Sequence, residues 1–279
     1  MVDRADERRH PPGAAAGWEE SYSFDFADAD GSLGGYVRLA VRPGDGRLSG
    51  DGRAWYWAAV VERGSPAVLV RDHDVDLPPE RSLEVRASGL WADMTCETPL
   101  EHWTVGLEAF GVALDDPAEA FGAERGDPRA LGLDLEWEAT GVADPAWARS
   151  PGYAQPCVVH GEVLVGSRRI DFSGVGWRSH EWGVREWWSG PSTWLTGHLD
   201  DGTPFAGESL DAVVGDDGLA RTASLTVGHL ELRAGPLAHA PVAVAGRDGR
   251  FSWLDRALCR YETDDGRTGV GWSDWLRPA

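Results

Sequence analysis

A two-residue period of apolar and polar side chains runs through much of this 279-residue sequence. It is clearest from Leu131 to Glu138, where apolar residues at every second position alternate with Asp134, Glu136 and Glu138. Successive side chains of a β-strand point to opposite faces, so this segment is predicted to be a strand with one buried and one solvated face.

Short runs with the same period recur along the chain and are separated by turn signals. The other strands predicted in this way include Tyr36–Arg42, Ala54–Val61, Pro66–Val70, Trp103–Ala109 and Glu162–Val165. Asp-Gly dipeptides, which tolerate a positive φ at both positions, end at Gly202, Gly218 and Gly266. Helical patterns are sparse, and Asp116 to Phe121 is only a turn or two long. The chain is therefore predicted to be all-β, with antiparallel sheets and few short helices.

A central break in this pattern predicts two consecutive β domains. Residues 140–155 contain Pro145, Pro151 and Gly152 and show no clean period, which is typical of a linker. We expect a disordered tail over residues 1–20, an N-terminal β domain over 21–144 and a C-terminal β domain over 145–279. Each half has room for a small closed barrel or curved sandwich that accepts one ligand.

The composition excludes several classes of function. All 26 basic residues are arginine, so catalysis by a Schiff-base lysine and phosphate binding by a P-loop lysine are excluded. A formal charge of -20 opposes binding to nucleic acid or to an anionic membrane, since both are negatively charged. Because the sequence has no long apolar run, we predict that it has no signal peptide and does not insert stably into a membrane. A cytoplasmic location is therefore expected.

Cysteine and histidine spacing predicts no metal site. Cys96, Cys157 and Cys259 are widely spaced and odd in number, so free thiols are expected in place of disulfides or thiolate ligands. The run from Arg71 to Asp74 contains His73 but is interpreted as a charged hairpin end. Neither a metal nor a cofactor is therefore predicted.

The densest group of chemically active side chains lies between Gly174 and Trp188. The segment holds one histidine, two arginines, two glutamates and four tryptophans. If it is a strand, Arg178, His180 and Trp182 share one face, while Ser179 and Glu181 point to the other. One face then carries a titratable base, a permanent cation and an indole.

This motif, Gly174-x-Gly-x-Arg-x-His-x-Trp-Gly-x-Arg-x-Trp187, resembles the central motif of the tandem lipocalin-like proteins. That superfamily includes carotenoid 1,2-hydratase, the AttH-like proteins and the β-barrel Diels-Alderases. The runs Gly34–Leu39 and Gly269–Trp275 extend the resemblance over most of the chain. It implies two lipocalin-like barrels that enclose a hydrophobic small molecule, in some members with cofactor-free acid-base or pericyclic catalysis.

The resemblance places the catalytic histidine at His180 and its neighbouring aromatic residue at Trp182. The acid of hydratase-like members falls near Glu208, and Glu181 is a second candidate for the proton donor. Many relatives have Asp before this histidine and Ser after it, whereas Ser179 and Glu181 stand there in this sequence, so an orienting carboxylate has moved or been lost. A protonated carboxylic acid would protonate an alkene better than an imidazolium, and Trp faces stabilise a carbocation. The full set of candidate substrate-binding residues is Trp182, Arg178, Arg185, Trp187 and Trp194.

Several functions remain open at this stage. The first is a cofactor-independent enzyme that hydrates, isomerises or cyclises an isoprenoid, terpenoid or polyketide-like molecule; the second is a non-catalytic carrier of such a ligand. The third is a carbohydrate-active β-protein, which requires exposed Trp residues across an open cleft. A purely structural interpretation has Arg178 or Arg185 packed on an indole as a barrel plug. The partner in the first two cases is a hydrophobic or amphiphilic small molecule, and the oligomeric state is not predicted.

Overall fold

The computed structural model describes residues 2–44, 52–209, 211–246 and 249–279, and its elements are almost all antiparallel strands. The first ten strands are β1 (Trp18–Ala27), β2 (Leu33–Arg42), β3 (Arg53–Glu62), β4 (Ala67–Val75), β5 (Val85–Ala87), β6 (Leu90–Thr98), β7 (His102–Leu114), β8 (Asp127–Ala139), β9 (Gly152–Val165) and β10 (Arg168–Val184). The others are β11 (Ser192–Leu199), β12 (Pro204–Ser209), β13 (Asp211–Val214), β14 (Ala220–Val227), β15 (Leu230–His239), β16 (Val242–Ala245), β17 (Phe251–Thr263) and β18 (Thr268–Pro278).

The helices of the described residues are three short 3₁₀ turns: η1 (Arg4–Glu7), η2 (Pro117–Phe121) and η3 (Pro145–Trp147). Each begins after an aspartate whose side chain accepts a backbone N–H, which is the usual N-cap interaction. No helix among them has the length and apolar character needed to cross a membrane. The all-β fold class predicted from the alternating pattern is confirmed.

The first sheet contains β1 to β10 in the order β4-β3-β2-β1-β10-β9-β8-β7-β6-β5. A short pairing of β4 with β7, from Ala67 to Leu69, closes a ring of eight strands. Its interior is filled by alternate residues of each strand, among them Leu133, Leu135 and Trp137 of β8. The strand predicted over residues 131–138 thus buries its apolar face as expected, while Asp134 and Glu138 are exposed.

The second sheet has the order β12-β11-β18-β17-β15-β14-β13, and β16 pairs with β17. Three of its hairpins turn at the predicted Asp-Gly dipeptides, where Gly202, Gly218 and Gly266 have φ angles of 84°, 85° and 88° that only glycine adopts freely. One apolar cluster lies within this sheet, and another, which includes Trp57, Trp187 and Trp272, lies where the two sheets pack together.

The chain changes sheet between Val184 and Ser192, whereas the sequence-based boundary lies at residues 144/145. The break at residues 140–155 is a wide connection through η3 between β8 and β9, which pair with each other. The N-terminus also differs from the expected disordered tail, since η1 and the buried Glu7 lie within residues 1–20. Composition signals a local break in the pattern, but it does not show which strands pair across that break.

The strands β1 and β10 are neighbours in the first sheet, from Trp18 paired with Val184 to Ala27 paired with Val175. On β1, Tyr22, Phe24 and Phe26 belong to the barrel interior. Alternate residues on the other side of β1, such as Asp25, face the second sheet. The two strands therefore form a wall with the first barrel on one side and an intersheet cleft on the other.

Candidate functional site

The motif strand β10 presents different chemistry on its two sides. It is extended over Arg168–Val184, and the contacts of Arg178, His180 and Trp182 lie on the barrel side. Trp177 and Glu181 line the cleft that faces the second sheet. The predicted alternation along this segment is therefore present, and each side forms a separate cluster.

On the barrel side, His180 belongs to a buried histidine–carboxylate cluster. Its Nε2 lies 2.9 Å from Oε1 of Glu20, and the Nδ1 of His10 lies 2.9 Å from the same oxygen. The His180 ring stacks on Tyr22 with centroids 4.0 Å apart, and the His10 ring stacks on Trp182 at 3.7 Å. His180 is only 1% exposed, so its ring is enclosed by side chains.

The electrostatics of this cluster favour a neutral imidazole beside a carboxylate. Burial lowers the pKa of His180, against the opposing effect of Glu20. Burial alone would raise the pKa of Glu20, but its interactions with His180 and His10 lower it. His180 thus donates its Nε2 hydrogen to Glu20, while its buried Nδ1 has no hydrogen-bond partner among the residues that the structure describes.

Two groups among the described residues bring three possible metal ligands within 4.8 Å of one another: His10, Glu20 and His180, and Glu136, Glu138 and His160. In the first group both imidazoles lie at hydrogen-bond distance from Glu20, so hydrogen bonding accounts for the arrangement. The predicted absence of a metal remains a prediction. His73, which stands in the charged run from Arg71 to Asp74, belongs to neither group. Its ring packs on Trp55.

A second barrel-side cluster surrounds Arg178, which is 3% exposed. Its guanidinium donates to both oxygens of Glu7, at 3.2 and 2.8 Å, and also donates to Gln155. Glu7 lines a cavity of about 1000 Å³ in the first barrel, together with Tyr22 and Trp103. This volume matches pockets that enclose drug-sized molecules.

On the opposite side of the wall, the intersheet cleft brings two buried aspartates close to two arginines. Asp274 of β18 accepts a hydrogen bond from Arg256 Nε at 2.8 Å and a second from Arg149. Asp25 of β1 accepts the backbone N–H of Trp177 at 3.0 Å. The free volume of the cleft is about 50 Å³, and its aromatic lining includes Trp147, Trp177 and Trp194.

The two aspartates of the cleft have pKa values displaced in opposite directions. Burial raises the pKa of Asp25 to about 7, despite the nearby Arg256 guanidinium. Burial opposes ionisation of Asp274 as well, but Arg149 and Arg256 lower its pKa to about 2. Two carboxyl groups whose environments separate their pKa values in this way are suited to opposite acid and base roles. Near neutral pH, Asp25 can hold a proton while Asp274 is a carboxylate.

Comparison with protein-family models adds one match, to a domain of unknown function designated DUF7064, over residues 3–215. This chain belongs to the DUF7064 family. The matched range contains the whole first sheet of this DUF7064 member together with β11, β12 and β13. A comparison with curated proteins found no significant sequence match.

Solved structures share the fold of this DUF7064 protein at low sequence identity. An AttH-like protein from Nitrosomonas europaea is 12% identical, with a TM-score of 0.60 over 93% of this chain and 92% of that one. A kievitone hydratase from Nectria haematococca is 9% identical, with a TM-score of 0.54 over 99% and 93%. CghA is also 9% identical, with a TM-score of 0.49 over 97% and 93%. The predicted resemblance to the tandem lipocalin-like proteins is confirmed as a likeness of fold.

The remaining sequence-selected residues of this DUF7064 chain are spread over both sheets. Glu181 lines the cleft, where it accepts hydrogen bonds from Arg185 at 3.1 Å and from the Arg149 backbone N–H at 2.8 Å. Glu208 is exposed on β12, in register with Trp194. Glu208 and His180 thus lie in different sheets and do not contact each other. Their joint role as acid and base stays a prediction.

Trp187 and Arg185 have the packing expected of a structural plug. The Arg185 guanidinium lies 4.7 Å from the Trp187 ring centroid, and Arg38 lies over the same ring at 5.2 Å. The Trp187 indole donates to Glu19 at 3.0 Å. Trp187 is 1% exposed, so this contact stabilises the junction of the two sheets.

Sequence reasoning missed Asp25 and Asp274, which carry the most displaced acid pKa values of the cleft. Asp25 alternates with Phe24 and Phe26, so it has the pattern of an ordinary solvated strand face. The one sequence feature that pointed toward Asp274 was the run Gly269–Trp275, which contains it. That run was used only as part of the family resemblance. The aspartates become candidates only because the second sheet covers the outer face of β1.

His180→Ala is expected to lower the free energy of unfolding by about 2–4 kcal/mol, because it removes a buried, stacked ring and a partner of Glu20. Urea unfolding followed by tryptophan fluorescence measures this change. His160→Ala is the matched control, since that side chain is 44% exposed. If His180→Ala is as stable as the control but inactive, His180 is catalytic and not structural.

Proposed function

We propose that this protein is a cofactor-independent enzyme that performs acid-base chemistry on a hydrophobic or amphiphilic small molecule in the intersheet cleft. The observation that carries this proposal is Asp25, a buried carboxyl group whose pKa is raised to about 7 beside a wall of indole rings. Asp25 is the general acid in this proposal. It takes the role that sequence reasoning assigned to Glu208 or Glu181.

The cleft suits the hydration, isomerisation or cyclisation of an alkene-containing substrate. Transfer of the Asp25 proton to an alkene carbon produces a carbocation, which the faces of Trp177 and Trp194 can stabilise. In a hydration, water then bonds to the cation and returns a proton to the Asp25 carboxylate, so the net change is the addition of one water. Loss of a proton or attack by a second double bond gives isomerisation or cyclisation instead.

The fold comparison is consistent with this class of chemistry, since the structurally similar protein from Nectria haematococca is named a hydratase. We propose an isoprenoid, terpenoid or polyketide-like compound as the substrate, as in the sequence-based hypothesis. The cytoplasmic location stays a prediction as well.

Substrate entry requires the cleft to widen, because about 50 Å³ holds little more than water. The Trp147 ring of η3 packs edge-on against Trp177, with centroids 5.1 Å apart. It lies in the connection between β8 and β9, which joins strand β9 at the Asp144–Ala154 bridge and strand β10 through the Arg149 N–H bond to Glu181. We propose that displacement of η3 admits the reacting end of the substrate.

A non-catalytic carrier is the second candidate, and the cavity of about 1000 Å³ in the first barrel favours it. The carbohydrate-active alternative requires exposed tryptophans. Every Trp of this sequence lies in the described ranges, and each is buried or half-buried there. The carbohydrate-active alternative therefore has no support from the aromatic residues.

The test begins with protein purified from its own host, from which retained small molecules are extracted and identified by mass spectrometry. Each identified compound is then incubated with fresh protein in D₂O. Conversion to a product with solvent deuterium on carbon is expected, because Asp25 exchanges its proton with solvent. Recovery of the unchanged compound after prolonged incubation would instead identify a carrier.

A further inference from the structure

The barrel side of β10 holds a carboxylate among four converging hydrogen-bond donors. Two of them are the Arg178 nitrogens, and a third is the Tyr153 hydroxyl, which lies 2.7 Å from Glu7 Oε2. The fourth is the backbone N–H of Leu100, at 2.6 Å from Glu7 Oε1. Bidentate arginine contacts with added N–H and O–H donors form the kind of site that recognises a carboxylate specifically.

The donors are positioned by the barrel and not by the residue that fills the site. Gln155 of β9 accepts from Arg178 and donates to the carbonyl oxygens of Leu100 and Gly141, at 3.0 and 2.8 Å. Leu100 has a φ of 65°, which is unusual for a residue with a side chain. This conformation accompanies the Leu100 N–H bond to the carboxylate. We define the donors of Arg178, Tyr153 and Leu100 as the carboxylate pocket.

The carboxylate itself comes from a short N-terminal segment with few attachments. Glu7 ends the four-residue η1, and residues 8–17 connect it to β1 without a strand or helix. Besides Glu7, His10 bonds to Glu20 and stacks on Trp182, and Arg9 donates to the Pro78 carbonyl at 3.1 Å. An exposed ion pair of Arg4 with Glu101 and a backbone bond from Arg185 to Gly17 also hold the segment. None of these contacts belongs to a strand pairing, so release of the segment would leave the strands of both sheets paired as they are.

The carboxylate pocket adjoins the large barrel cavity. Glu7 lines that cavity, and its apolar lining includes Tyr22, Met94 and Trp103. A molecule that replaced the Glu7 carboxylate would keep the buried Arg178 paired with an anion, which avoids the cost of an unpaired buried charge. Its apolar part could then lie against the aromatic floor of the barrel.

We propose that the carboxylate pocket binds the acid group of an amphiphilic small molecule, and that Glu7 competes with this ligand for the same donors. The ligand is an organic carboxylate with an apolar body that occupies the barrel cavity. This site lies across the β1–β10 wall from Asp25, and it does not depend on the chemistry proposed for the intersheet cleft. The N-terminal segment thereby acts as a displaceable plug.

Calorimetric titration with dodecanoate and with its methyl ester tests this proposal. Glu7→Ala is expected to bind dodecanoate at least about tenfold more tightly than the unsubstituted protein, since the competing carboxylate is gone. The methyl ester is expected to bind both proteins equally, because it lacks the acid group. Glu108→Ala, at an exposed residue of β7 that does not line this cavity, is the matched control and should behave as the unsubstituted protein.

A second measurement separates loss of the plug from loss of the pocket. Acetate at millimolar concentration is expected to raise the melting temperature of Glu7→Ala by more than about 2 °C, at constant ionic strength set with chloride. The double variant Glu7→Ala/Arg178→Met should show no such rise. Glu7→Gln replaces Glu7→Ala in both measurements if the alanine variant does not fold. Equal dodecanoate affinity with and without Glu7, or a melting temperature unmoved by acetate, would overturn the proposal.

Discussion

Asp25→Asn is expected to reduce turnover of the retained substrate by about 10²–10⁴-fold, the usual contribution of a general acid. Asparagine keeps the oxygen that accepts the Trp177 N–H, so the local backbone contact is preserved. It cannot transfer a proton to carbon. Steady-state rates measured with the compound extracted from the protein give the loss directly, and Asp134→Asn serves as an exposed aspartate control on β8. Activity within threefold of the control would exclude Asp25 as the acid.

The same substitution is expected to change the pH dependence of stability. The folded-state pKa of Asp25 is raised from 3.8 to about 7, so its stabilising contribution is complete below pH 3.8 and is lost as the pH rises through 7. Asparagine has no such loss. Relative to the unsubstituted protein, Asp25→Asn should therefore gain stability between pH 4 and 8, by up to about 4 kcal/mol.

Urea unfolding at several pH values measures this difference. A gap that does not vary with pH would mean that Asp25 titrates normally, and the argument for a protonated acid would fail. If Asp25→Asn gains stability over the unsubstituted protein as the pH rises and also loses turnover, the buried carboxyl group of Asp25 lowers stability in return for activity. Such a cost is common at catalytic sites.

Asp274→Asn is expected to produce the largest loss of stability, about 3–5 kcal/mol, because it leaves Arg149 and Arg256 without their shared buried anion. Both arginines lie at the cleft between the sheets. Thermal and urea unfolding measure the change. The control is Asp265→Asn, which breaks an exposed ion pair with Arg267 and should have a far smaller effect.

The pH dependence of this second variant has the opposite sign. Since the pKa of Asp274 is lowered from 3.8 to about 2, its stabilising contribution is present above pH 3.8 and disappears as the pH falls through 2. The stability gap between Asp274→Asn and the unsubstituted protein should therefore be full at pH 6 and shrink below pH 4. A gap that persists unchanged at pH 2 would show that packing, and not charge, is what the aspartate supplies.

The sequence predicted which side chains share a face of β10 better than it predicted the residues that contact them. The two-residue period correctly separated Arg178, His180 and Trp182 from Glu181, because side-chain alternation is a property of consecutive residues in a strand. The same reasoning assigned the barrel-side residues to catalysis with Glu208, which lies exposed in the other sheet. It had no means to find Glu20 or Glu7 as the actual partners of His180 and Arg178.

Local sequence patterns were enough to predict that the chain is all-β, where strands such as β2, β3 and β8 lie, and which face of β8 is apolar. These properties follow from local alternation and turn chemistry. Three features depend instead on long-range packing: β9 and β10 join the first sheet, the second sheet buries Asp25, and the N-terminal Glu7 enters the barrel. Such contacts join residues far apart in the chain, and the burial that raises the pKa of Asp25 exists only once the two sheets have packed together.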